Sequence, residues 1–113
     1  MARRYWRHPP RPMHWKLVDR VPVPVDEMEC AEWFETNDRR VARDTVGEFR
    51  VSTVFLGLDH NFSGDPDAPP LVFETMVFEE NGNSLDYEER YSTWAEAEAG
   101  HARAVEAVRR RQL

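Results

Sequence analysis

The stretches EFRVSTVFLGL (residues 48–58) and LVFETMVFE (residues 71–79) decide the fold, because each alternates so as to form two apolar faces. In the first stretch, one face carries Phe49, Val51 and Phe55, and the other carries Val54, Leu56 and Leu58. A strand with apolar side chains on both faces belongs in the middle of a sheet and not at its edge. We therefore expect these two stretches to be the central strands.

Further strands flank this central pair. Residues 40–46 precede a turn at Gly47, and residues 85–91 follow turn-forming residues at 81–83, which predicts an antiparallel meander of four strands. Residues 14–21 also alternate, and we expect a half-buried edge strand there that ends at Pro22 and Pro24.

Two capping boxes mark the starts of helices. Asp26 with Glu29 predicts a short helix to about residue 36, and Thr93 with Glu96 predicts an alanine-rich helix to about residue 110. Each helix carries one apolar stripe. The pattern predicts an α+β fold, with two helices packed on one face of an antiparallel sheet of four to five strands. The other face must then be covered or serve as a binding or dimer surface.

The chain of 113 residues fits one domain at residues 13–113, preceded by a basic arm at residues 1–12 that is rich in Pro and Arg. No stretch approaches the roughly 18 apolar residues of a membrane helix, and no signal peptide is recognisable. The single Cys30 excludes an internal disulfide and a cysteine zinc site. We expect a cytoplasmic protein without membrane association, bound metal or cofactor.

The net charge of −6 is unevenly distributed. Residues 1–20 contain six basic side chains and one acidic one, whereas residues 51–89 contain nine acidic side chains and no Lys or Arg. An anionic surface repels phosphate backbones, which disfavours a nucleic acid as the main partner. The acidic stretch is either a solvated face or a surface that attaches to a basic protein.

Four segments resemble a set of small uncharacterised proteins from phages and prophages. They are AEWFETNDRRVAR (31–43), VSTVFLGLDHNF (51–62), PPLVFETMVFE (69–79) and ERYSTWAEAEAGH (89–101). The resemblance covers residues 25–105 and leaves out the arm before Trp15. It implies a bacterial host cell and a role in host takeover or counter-defence. It does not by itself imply a particular activity.

Polar side chains in and after the central strands are the candidate binding residues. A buried Glu74 needs a cation, and an Arg with a Glu and hydroxyls on a sheet face is one way to hold a phosphate and a base. A simple cross-strand ion pair is the alternative for Glu74, and core packing is the alternative for His101. The candidate ligand-binding residues are Arg43, Arg50, Thr53, Asp59, His60, Glu74, Arg90 and His101.

These residues favour a non-catalytic, homo-oligomeric binding protein that sequesters a small nucleotide-like ligand or blocks a host defence protein. In the second version the partner-binding residues are Asp65, Asp67, Glu79, Glu80, Glu88 and Glu89. One alternative is a small metal-dependent hydrolase or nuclease that uses Asp59, His60 and Glu74. Another is a structural or virion-associated protein.

Overall fold

The structure is a computed structural model that describes residues 11–111. Most of the basic arm expected at residues 1–12 therefore lies outside the described residues. The elements in chain order are β1 (His14–Val18), β2 (Val21–Val25), α1 (Glu27–Thr36), β3 (Arg40–Val46), β4 (Phe49–Phe55), β5 (Phe73–Glu79), β6 (Ser84–Tyr91) and α2 (Trp94–Arg109).

Strands β3 to β6 form one antiparallel sheet in the order β3-β4-β5-β6. The two apolar stretches, β4 and β5, occupy its centre and pair without a register shift from Phe49↔Glu79 to Phe55↔Phe73. The predicted meander, and with it the α+β fold with helices packed against an antiparallel sheet, is confirmed.

The prediction of one edge strand over residues 14–21 is wrong. The chain reverses at Asp19 and Arg20, whose φ angles of 49° and 67° allow a tight turn, and forms the separate hairpin β1-β2. Pro22 and Pro24 lie inside β2 and do not end the strand. Proline has no backbone N–H and so cannot donate a hydrogen bond to a neighbouring strand. Pro22 and Pro24 are two residues apart, so their nitrogens lie on the same edge of β2, and on that edge β2 has no neighbouring strand.

Both helices begin at the predicted caps. The Asp26 carboxylate accepts a hydrogen bond of 2.8 Å from the Glu29 amide at the start of α1. At the start of α2 the Thr93 hydroxyl accepts from the Glu96 amide at 3.1 Å and donates to the Glu96 carboxylate at 2.9 Å. These contacts satisfy amide groups that have no partner within the helix.

The core lies between the helices and one face of the sheet. Helix α2 packs Ala104 and Val108 against Val51 and Val77 of the central strands. Helix α1 stacks the ring of Phe34 on that of Phe55, with centroids 5.9 Å apart and planes within 7°. Full burial of side chains of this size contributes about 1.5–3 kcal/mol each, so this one face carries most of the hydrophobic stabilisation. Neither described helix is long and apolar enough to cross a membrane.

Gly100 lets α2 approach the sheet closely. A Cβ atom at this position would lie 2.1 Å from the hydroxyl oxygen of Tyr91 and 2.2 Å from its ring. Tyr91 is buried on β6 and holds a hydrogen bond there, so its ring has little room to move away. The helix therefore needs a residue without a side chain at this point.

We predict that Gly100→Ala lowers the free energy of unfolding by about 2 kcal/mol, because the methyl group overpacks this contact. Helix propensity alone would have the opposite effect and stabilise by about 1 kcal/mol. Urea denaturation measures the difference. The control Glu98→Ala, on the exposed side of α2, should stay within about 0.5 kcal/mol of the parent. A stabilised Gly100→Ala variant would contradict the close approach.

Candidate binding face

The four-stranded sheet has a second face, on which neither described helix packs. We call it the open face. Its side chains alternate with those that contact the helices, and the strand register places them in three rows across β3, β4, β5 and β6. The rows are Arg40, Val54, Glu74 and Arg90; Arg43, Ser52, Met76 and Glu88; and Thr45, Arg50, Phe78 and Ser84.

An ion-pair cluster lies at one side of this face. The Arg90 side chain donates from Nε to the Glu74 carboxylate at 2.9 Å and places Nη2 2.7 Å from the Glu88 carboxylate. Glu74 and Arg90 face each other across β5 and β6, so the predicted alternative of a cross-strand ion pair is confirmed for Glu74. The pair removes the cost of the buried Glu74 carboxylate and leaves its second oxygen as an acceptor.

A shallow concavity of about 190 Å³ occupies the middle of the face. Phe78 is one of the residues that line it, and the guanidinium carbon of Arg50 lies 4.8 Å from the centre of the Phe78 ring. The residues that line the concavity are Arg39, Ser52, Val54, Glu74, Met76 and Phe78. The ligand-binding residues predicted from the sequence do not include Arg39, Ser52, Met76 or Phe78, although the alternation of β5 puts Met76 and Phe78 on the same face as Glu74.

Two of the predicted ligand-binding residues, Thr53 and His101, lie on the helix-covered face instead. They belong to a buried chain of hydrogen bonds between the sheet and α2. Tyr91 donates to Thr75 at 3.0 Å, the Thr75 and Thr53 hydroxyls are 2.5 Å apart, and Thr53 is 2.7 Å from Nδ1 of His101. Nε2 of His101 lies 2.7 Å from the Asp44 carboxylate.

Only one direction along this chain gives every donor an acceptor. Tyr91 donates to Thr75, Thr75 to Thr53, Thr53 to Nδ1 of His101, and the Nε2–H of His101 to Asp44. The order hydroxyl, imidazole, carboxylate is the one found in nucleophilic enzymes. However, Thr53 is 0% exposed, so no substrate reaches its hydroxyl. The chain serves to satisfy buried polar groups and to align α2 on the sheet.

Asp59 and His60 lie in the loop between β4 and β5, outside the open face and outside the buried chain of hydrogen bonds. The buried Asp59 carboxylate accepts from the amides of Asn61 and Leu71 at 2.8 and 3.0 Å and from Arg11 at 2.7 Å. Arg11 also donates to the carbonyls of Asp65 and Ala68 and so holds the loop closed. His60 lies beside Phe62, with ring centroids 5.9 Å apart. Asp59 is thus an anchor for the loop.

The three residues of the metal-dependent alternative do not form a site. In the loop, Asp59 is bound to Arg11 and to two backbone amides. Glu74 is bound to Arg90 on the open face. Within residues 11–111, no cluster of three or more His, Cys, Asp or Glu side chains is placed to hold a metal ion.

The six acidic residues predicted to bind a partner protein are dispersed. Asp65 and Asp67 lie in the loop that joins the Phe55 end of β4 to β5, whereas Glu79 and Glu80 lie at the opposite end of the sheet. There they line a cleft of about 510 Å³ together with Glu48, Phe49 and Asn81. Glu88 pairs with Arg90 on the open face, and Glu89 pairs with Arg103 of α2.

Comparisons with protein-family models, with curated proteins and with solved structures found no match to this chain. The geometry therefore carries the functional argument. Of the eight predicted ligand-binding residues, four lie on the open face, namely Arg43, Arg50, Glu74 and Arg90, and of these Glu74 and Arg90 are in contact.

We predict that Thr53→Val lowers the free energy of unfolding by about 2 kcal/mol. The shape of the side chain is kept, but Nδ1 of His101 and the Thr75 hydroxyl lose their partner in a buried place. Thermal or urea unfolding measures this loss. Thr45→Val is the matched control, because Thr45 is exposed on the edge strand β3. Equal effects of the two substitutions would show that the buried chain contributes nothing.

We also predict a pH-dependent contribution from Asp59. Burial by itself raises the pKa of its carboxyl group, but the hydrogen bonds from Asn61, Arg11 and Leu71 outweigh burial and lower the pKa below its ordinary value. A group whose pKa is lower in the folded state stabilises the fold above the unfolded pKa, near 3.9, and loses this contribution as the pH falls through the folded pKa.

The Asp59→Asn variant should therefore be less stable than the parent at pH 7, and the difference should shrink as the pH falls below about 4. Urea denaturation between pH 7 and pH 2.5 measures the difference. The control Glu98→Gln, on the exposed side of α2, should show no such trend. A difference between Asp59→Asn and the parent that stays constant with pH would contradict the assignment.

Proposed function

We propose that the protein is a non-catalytic binding protein that sequesters a small nucleotide-like anion on the open face of its sheet. The observation that carries the proposal is that Arg43, Arg50, Glu74 and Arg90 lie on one face of the sheet, whose middle holds the concavity lined by Glu74 and Phe78. A nucleotide presents a phosphate, a planar base and polar base edges, and the face offers a group for each.

Arg43 and Arg50 are the groups for the phosphate. Within residues 11–111 neither guanidinium lies in an ion pair: Arg43 is exposed on β3, and Arg50 lies over the Phe78 ring. An arginine without a carboxylate partner keeps its parallel N–H donors for a phosphate, which it binds in bidentate fashion. The hydroxyl of Ser52, next to Arg43 across the strands, adds a donor.

Phe78, Met76 and Glu74 are the groups for the base. The ring and the thioether form an apolar floor in the concavity, on which a planar base can stack. Glu74 is held in place by Arg90, and its remaining lone pairs accept N–H groups from a base edge. This arrangement supplies recognition, and on the open face no described imidazole or thiol stands beside a hydroxyl to transfer protons.

The version in which an acidic surface blocks a host protein has weaker support. Its carboxylates lie at opposite ends of the sheet, and Glu88 and Glu89 point to different faces, so the six do not form one surface. The resemblance to phage and prophage proteins makes a bacterial host cell the setting that we propose for sequestration, with counter-defence or host takeover as its role.

Native mass spectrometry of gently purified protein, before and after denaturation, tests the proposal. We expect an additional mass of a few hundred daltons that disappears on denaturation. If the purified protein is empty, calorimetric titration with nucleoside monophosphates, nucleoside diphosphates and cyclic nucleotides replaces this test. No bound mass together with no heat from any of these probes would contradict the proposal.

Two substitutions locate the site. Arg43→Gln and Arg50→Gln should each weaken binding of the identified nucleotide by at least about tenfold, because each removes a charge-assisted contact. The matched control is Arg103→Gln, since Arg103 lies on the exposed surface of α2 on the other side of the sheet. A control that weakens binding as much as the two variants would place the ligand elsewhere.

A further inference from the structure

We infer that a second copy of this chain closes the open face, with the twofold axis of the dimer parallel to the strands. The dimer itself follows from the charges of the face and does not require a ligand. The location of the ligand between the two copies rests on the proposed function.

The open face is divided into a basic half and an acidic half. Strands β3 and β4 contribute Arg40, Arg43 and Arg50. Strands β5 and β6 contribute Glu74, Glu88 and Asp86, together with Arg90; Asp86 lies on this face because its neighbours Leu85 and Tyr87 pack in the core. Between the two halves lie Ser52, Val54, Met76 and Phe78. A face with this distribution is complementary to itself in one orientation.

Symmetry selects that orientation. Two identical sheets that stack face to face have their twofold axis in the plane between them. An axis across the strands would set β3 over β3 of the other copy and oppose arginine to arginine. An axis parallel to the strands sets β3 over β6 and β4 over β5, so that each basic half lies over an acidic half. The second axis also sets Arg40 of one copy over Arg90 of the other, but the Arg90 charge is balanced by its ion pairs with Glu74 and Glu88. The first axis opposes Arg43 to Arg43 and Glu88 to Glu88, so the second axis is the more favourable one.

The strand register shows which contact between the two copies depends most on the direction of the axis. Arg43 and Glu88 end the middle row of the face, which runs through Ser52 and Met76. An axis between Ser52 and Met76 places Arg43 of one copy opposite Glu88 of the other, twice in each dimer. Packed sheets twist by about 30° relative to each other, which displaces the outer rows more than the middle one.

The size of the face sets the strength of the dimer. Four strands about 4.8 Å apart and seven residues long at about 3.3 Å give roughly 450 Å² in each copy. A standard interface covers about 800 Å² in each partner, so we expect a dimer that dissociates on dilution. The concavity of about 190 Å³ is also smaller than the roughly 300 Å³ of small ligand sites, and two opposed concavities would reach that size.

Charge reversal tests the inference by analytical ultracentrifugation over a range of concentrations, without added ligand. The parent should dimerise, whereas Arg43→Glu and Glu88→Arg should each weaken dimerisation by at least about tenfold, because each opposes two pairs of like charges. An equimolar mixture of the two variants should dimerise again, since each supplies the charge that the other needs. The double variant should also dimerise.

Recovery of dimerisation in the mixture cannot come from a contact between Arg43 and Glu88 within one chain. Arg43 and Glu88 lie three strand spacings apart, about 14 Å, beyond the screening length of about 8 Å at physiological salt. Circular dichroism and melting temperature confirm that each variant is folded. Arg103→Glu, on the exposed surface of α2, is the control and should dimerise like the parent.

Several results would overturn the inference. They are a monomeric parent at all concentrations, single variants that dimerise like the parent, and a mixture that does not recover. A mixture of the two variants that dimerises more strongly than the parent would assign the axis across the strands, because that axis opposes position 43 to position 43 and position 88 to position 88. A dimer that binds no nucleotide would remove only the proposed function, whereas a monomer that binds one would remove only the dimer.

Discussion

The pleat of the sheet is the constraint on which the rest of the structure depends. Successive side chains of β4 and β5 point to opposite faces, so one set packs beneath the helices and the other does not. Val51 and Val77 meet α2, whereas their neighbours Arg50 and Phe78 stack on each other on the open face. Side chains that stabilise the core and side chains of the proposed binding face therefore alternate along the same strand.

Polar groups inside the molecule follow the same division. On the helix-covered face, Thr53, Thr75 and His101 satisfy one another and align α2, which takes them out of contact with solvent. In the loop, Asp59 holds two backbone amides and Arg11, which takes it out of reach of a metal or a substrate. The polar side chains of the open face differ from both, because solvent reaches them.

The open face gives the proposed function and the inferred dimer a common physical basis. Arg40, Arg43 and Arg50 lie on β3 and β4, and Glu74, Asp86 and Glu88 lie with Arg90 on β5 and β6. We propose that the same arginines bind a phosphate and that the same distribution of charge pairs with a second copy. A ligand held between two copies would lose more of its contact with water than one lying on a single sheet.

The sequence by itself determined the local elements. The caps at Asp26 and Thr93 mark both helices, and the alternation in β4 and β5 identifies the central strands, because both signals depend only on residues close in the chain. The hairpin at Asp19 and Arg20 escaped prediction, because Arg20 stands at the second turn position, where a turn with positive φ usually has glycine.

Only the tertiary structure decided which polar residues meet. The Thr53–His101 contact joins residues 48 positions apart, and Arg11–Asp59 joins residues equally far apart. Such pairs depend on which face of the sheet the helices cover and on how the loop folds back. The sequence therefore indicated that Glu74 needs a cation, and the pairing of β5 with β6 decided that this cation is Arg90.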